Sequence, residues 1–122
     1  MTDFQRYRDR CAIVGVGDTD YSKASGRSVL TLAVEASLSA IKDAGLDVTD
    51  IDGIVRCNMD EVRHNDLATS LGIDNVSYWS EVAVGGAAPC AMVGQAVALV
   101  VVGEQADVGH GAPAMARGAE AD

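Results

Sequence analysis

Thiols and imidazoles, the readiest nucleophiles, bases and soft metal ligands, are few in this 122-residue sequence: three cysteines and two histidines. Cys90 lies in GGAAPCAMVGQ, near the head of an uncharged stretch that runs to Gly103. A thiol at a helix N-terminus is drawn toward the thiolate, the form that attacks a carbonyl carbon. Such a nucleophile needs a base, and no histidine is identifiable as a partner for Cys90. The competing reading, a small apolar thiol packed in a core, is the favoured one. The catalytic residues therefore stay unassigned, with Cys90 as the candidate to test. Cys11 and Cys57 complete an odd set without metal-ligand spacing, so no metal is expected. The polar, charged opening residues do not read as a signal peptide, and reduced thiols in a cytoplasmic protein are the expectation.

Other chemistry-bearing residues have plainer explanations. Asp47, Asp50 and Asp52 are spaced like ion ligands but lack the glycine and terminal glutamate of a calcium loop, and read as turn residues. His64 is expected on the exposed face of a short helix, and His110, in VGHGAP, in a solvated tail. Gly15-Val16-Gly17 follows a strand-like run as a dinucleotide fingerprint would. A polar loop intervenes before the next helix and no third glycine is in place, so a turn that releases the strand is the better reading. Gly85, Gly86 and Ala87 can carry no side-chain chemistry. Glycines at such a turn let backbone approach a ligand or a partner chain closely, which makes these three the candidate substrate-binding residues.

The elements that must position these residues alternate. Residues 11–16, CAIVGV, read as a buried first strand, followed by a polar loop through Gly26. Ser28 offers an N-cap for a helix to about Ala44, with Gly45 as its stop. Leu30, Ala33, Val34, Ser37, Leu38, Ile41 and Ala44 fall on one stripe of that helix. After an acidic turn, residues 51–56 read as a second strand and 60–71 as a short helix closed by Gly72. Residues 76–82 alternate as a third strand, and the Gly-Gly turn leads into a helix at about 87–102 (Ala87 to Val102). Pro89 suits that helix's first turn, and Gly103 its end. The order predicts an α/β fold with a mainly parallel sheet and a buried central helix. Ala106-Asp107-Val108 opens like a further strand, but GHGAPAMARGAEAD shows no periodicity, so residues 109–122 read as an irregular or truncated tail.

Composition narrows the function classes. The net charge of −9 argues against a sequence-independent nucleic-acid binder and against docking on anionic lipid. Hydrophobic residues at 48% suffice for a packed core, while aromatics at 4% leave it to be built from Ala, Val, Leu and Ile. The uncharged stretch could be taken for a membrane span. Its continuous apolar part, 91–102, is interrupted by Gly94 and Gln95, lacks flanking Lys or Arg, and falls short of the ~20 residues a span needs. A soluble buried helix is expected, and no membrane association. A helix apolar all round needs protein on every side, so an incomplete copy of a larger fold is expected too.

The pieces CAIVGVGDTDYSKASGRSVLTLAVEASLSAIKDAGL, DVTDIDGIV, the strand before the glycines, and GGAAPCAMVGQAVALVVVGEQADV together resemble the N-terminal part of the thiolase superfamily. Within it they are most similar to the lipid-transfer-protein-like thiolases and the aldolases that act on CoA-linked steroid side chains. The resemblance implies a partial thiolase-like fold over residues 1–108, about the first third of a family member. True thiolases carry a nucleophilic cysteine at the turn before the buried helix, within a C-x-S/T-G-type motif. Here that place falls on Gly86, a departure typical of the aldolase-like members. The family's Gly-His-Pro motif belongs far later, and His110 does not match it.

The resemblance also implies an enzyme of acyl-CoA thioesters, with no covalently bound cofactor. Retro-aldol cleavage is implied, with acyl transfer of the acetyl-CoA acetyltransferase or lipid-transfer kind as the other chemistry of the branch. Tyrosines from the later part of the fold would act as acid and base. A homodimer in the complete form is implied, with Tyr78 and Trp79 on the interface strand or in the core, and so is a small partner protein with an OB-like domain. The chain alone is expected to be inactive. The alternative is a non-catalytic binding or scaffold subunit that docks on a full-length thiolase-like partner, and a third reading is a small self-sufficient α/β domain.

Overall fold

The computed structural model describes residue 5 and residues 7–59, 61–83 and 85–106. The expected strand at 106–108, the tail 109–122 and His110 therefore lie outside the described residues, apart from Ala106. The element order is α1 (Val29–Asp43), β1 (Gly53–Cys57), α2 (His64–Leu71), β2 (Tyr78–Val82) and α3 (Ala88–Ala106). This is a mixed α/β arrangement around a small parallel sheet.

Local chemistry accounts for the helix boundaries. The Ser28 hydroxyl accepts from the Thr31 N–H at 3.1 Å, satisfying one of the free donors at the head of α1. At the other end Gly45 takes a left-handed φ of +69°. Its N–H reaches Lys42 O at 3.0 Å, and the Leu46 N–H reaches Ile41 O at 3.1 Å, a Schellman closure that only a residue tolerant of positive φ makes cheaply. Gly72 ends α2 in the same way, and the Ile73 N–H bonds Ala68 O at 2.9 Å. The α2 helix starts at His64, four residues later than its expected start at 60, and its N-cap Arg63 makes no side-chain capping bond.

β1 and β2 pair in parallel, with Gly53 opposite Tyr78 and Cys57 opposite Val82. Side chains alternate across a strand, so β1 serves two clusters. Ile54 packs with Ala68 and Ile73 against α2. Val55 and Cys57 pack with Val82 and Ala88 beneath the head of α3.

Residues 11–16 form no strand, contrary to the expectation; among the described residues the sheet has two strands. A strand exists only when a neighbour completes its ladder, and this segment lies against α1 instead. A Cβ on Gly15 would stand 2.3 Å from Ala40 O, and one on Gly17 2.1 Å from Ala36 O. The pair, spaced to face one side of an extended chain, thus lets two backbones touch. Val16 N–H donates to Asp43 Oδ2 at 3.0 Å and fixes the segment to the end of the helix. The stripe of α1 is half-buried except for Leu38, which is exposed, and none of it reaches full burial.

The central helix is longer than expected and covered on one side. Ala88, Val100 and Val101 are buried, while Val93 and Val102 are exposed at 47% and 58%. The expectation that the apolar stretch falls short of a span does not hold by length and composition: residues 85–103 contain an 18-residue window of mean hydropathy 1.8, enough to cross a membrane, and 17% of that window is buried. Ala91 and Met92 nonetheless pack on Cys57 and Val82 as residues of a core helix do.

Candidate functional site

Parallel sheets place ligands beyond the carboxyl ends of their strands. At that edge β1 ends in Cys57 and β2 in Val82, and the pairing extends one step further as the Asn58 N–H donates to Val82 O at 3.0 Å. β2 then enters a 3-10 turn, Gly85–Ala87, which opens directly into α3. Ala88, 2% exposed, seals the first turn of the helix onto Cys57 and Val82. The turn is therefore held against the sheet by its downstream neighbour and left exposed itself.

The two glycines differ in what the backbone asks of them. Gly85 has φ +53°, a backbone conformation that penalises any side chain. Gly86 has no such constraint, and a Cβ there would meet nothing within 4 Å. Space for a side chain exists at Gly86, and the sequence leaves it empty.

Chemically, residues 85–89 offer no acid, base or nucleophile: Gly, Gly, Ala, Ala, Pro. What they present is backbone. The first N–H groups of a helix lack intrahelical acceptors and favour negative charge. Backbone at such a turn favours a negatively charged ligand atom, but by itself can neither attack a carbonyl nor move a proton.

The cysteines do not repair this. Cys90 is exposed, which corrects the expectation of core packing. Cys57 is buried beside Ala88, and its thiol contacts Asn58 Oδ1 at 3.9 Å. Cys11 is half-buried, with Sγ 3.8 Å from Val97 O. Neither of these contacts joins a thiol to an imidazole.

His64 is not on a free surface. Its ring stacks on the indole of Trp79, centroids 3.8 Å apart and 4° from parallel. Sequence reasoning missed this contact; the pair is separated by the whole of α2. Trp79 and Tyr78 are 47% and 42% exposed, so neither is a core residue of the described structure. Two register steps beyond Trp79, partners Arg56 and Glu81 form an ion pair at 2.7 Å. The acidic turn behaves as expected. Asp47 Oδ1 accepts from the Thr49 N–H at 3.4 Å and Asp50 Oδ2 from the Asp47 N–H at 2.9 Å, a reciprocal cap around Val48–Asp50. The Gly15-Val16-Gly17 segment is likewise no phosphate cradle, because the α1 backbone already fills the space in front of its glycines.

Fold and site together define the class: the described residues form part of a thiolase-like α/β fold. Two solved structures show this at fold level. A monomeric SCP2-thiolase-like protein of Mycobacterium smegmatis superposes with a TM-score of 0.62 at 24% identity, over 80% of this chain and 21% of that one. The priming β-ketosynthase of the R1128 polyketide pathway gives 0.52 at 21% identity, over 81% and 30%.

Nearer relatives are aldolases and lyases. The chain is 46% identical over 94 residues to the 17-hydroxy-3-oxo-4-pregnene-20-carboxyl-CoA lyase of Mycobacterium tuberculosis, covering 77% of this chain and 24% of that protein. It is 46% identical over 92 residues to a steroid side-chain-cleaving aldolase of Thermomonospora curvata, covering 75% and 24%. The solved Ltp2-ChsH2(DUF35) aldolase superposes with a TM-score of 0.76 at 44% identity, over 78% of this chain and 25% of that one. The chain thus spans about a quarter of the length of these relatives. No family model matches it.

Proposed function

We propose that this chain is the N-terminal portion of a thiolase-fold enzyme that cleaves a carbon–carbon bond in a β-hydroxyacyl-CoA borne on a steroid side chain. The observation that carries the proposal is the nucleophile-free turn Gly85–Ala87 at the head of α3, taken with the 46% identity to two enzymes of steroid side-chain cleavage. Retro-aldol cleavage needs no acyl-enzyme. A base takes the β-hydroxyl proton, the β-carbon becomes a ketone, and the Cα–Cβ pair moves onto the α-carbon as a thioester enolate, which is then protonated. The enolate oxygen is the kind of group that backbone at the head of a helix suits. The acid and base would come from outside this chain, so the chain alone is inactive. In the complete enzyme a DUF35-type partner completes the assembly, a reading the two components of the solved relative support, and homodimerisation is proposed alongside it.

The test offers the purified chain a 17-hydroxy steroid 20-carboxyl-CoA and follows release of the ketone and the shortened acyl-CoA, with intact-mass analysis for acyl adducts. Neither turnover nor an adduct is expected. Cleavage at the rate of a complete aldolase would overturn inactivity. An acyl adduct lost on Cys90→Ala would revive the thiol as nucleophile. The coding sequence downstream, read in all three frames, tests the placement: thiolase-like sequence there supports it, and an unrelated neighbour sinks it.

The open flank of α3 and the half-exposed Tyr78 and Trp79 favour one second reading, a scaffold subunit docking on a full-length relative. Co-elution of the chain with such a relative as a stable complex would support it.

A further inference from the structure

We draw no further inference here: the strongest candidate, the apolar cleft of about 550 Å³ between residues 11–15, α1, β1 and α3, carries nothing because no feature of the structure shows what fills it.

Discussion

The flank formed by residues 11–17 and α3 carries the more apolar helix of the molecule, yet it is the β1–α2–β2 unit that closes on itself. In the crossover unit the central side chains meet partners supplied by the same short stretch: Ile54 meets Ala68 and Ile73, and all three are at most 9% exposed. On the flank, Ile13 and Val16 are 75% and 72% exposed, and Val102 is 58% exposed. Hydrophobicity alone does not bury a residue. Burial needs a second surface of matching shape, and here it tracks the presence of that surface rather than residue type.

If that contrast is right, truncations on the two sides must differ sharply. Ile54→Ala should destabilise by ~2–5 kcal/mol, the range for a large-to-small change in a packed core. Val102→Ala should change stability by no more than ~0.5 kcal/mol, as for an exposed position. Urea unfolding of both variants checks the pair. Equal effects would mean that α3 is covered in solution by something outside the described residues.

Glycines sharpen the same contrast with opposite signs. Gly17→Ala forces a Cβ onto the Ala36 carbonyl, with backbone on both sides and no flexible side chain to yield. A loss of ~1–3 kcal/mol is expected from such overpacking, along with faster proteolysis at 11–17. Gly94→Ala, inside α3 with nothing within 4 Å, should instead stabilise by up to ~1 kcal/mol through helix propensity. A neutral Gly17→Ala would show that the segment does not rest on α1. A smaller effect is expected at the N-cap: Ser28→Ala should cost ~1 kcal/mol, read as a lower urea midpoint, and Ser28→Asp should restore it.

How much of this was legible in the sequence depends on how local each cause is. The caps of α1, the reciprocal acidic turn, and the glycine stops at 45 and 72 depend on residues within five positions of one another, and each lies where the pattern placed it. β1 was legible as an apolar run, β2 as an alternating one, and the Gly-Gly turn as the entrance to an apolar helix. Residues 11–16 also read as a strand, because a strand-like pattern records that a residue can pair and not whether a partner is present. Leu38 fell on the core stripe of α1 for the same reason, and no element of the described residues covers it. At the candidate site the absence of side-chain chemistry in 85–89 was plain from residue identity. The exposure of Cys90 was not, because it depends on what packs beside α3.

The His64–Trp79 stack joins two elements rather than one local pattern, and offers the mildest test. It joins the first residue of α2 to β2 and so ties the two ends of the crossover on the closed side of the molecule. Trp79 is the single tryptophan, which makes its emission a direct reporter. His64→Ala should shift the intensity or wavelength of Trp79 emission in the folded protein while lowering stability by only ~0.5 kcal/mol, the lower end for an aromatic pair whose members keep solvent contact. A double-mutant cycle with Trp79→Leu separates the ring contact from each residue's other contacts. Coupling near zero with unchanged emission would show the rings apart in solution, and would move Trp79 from the closed region to the open one.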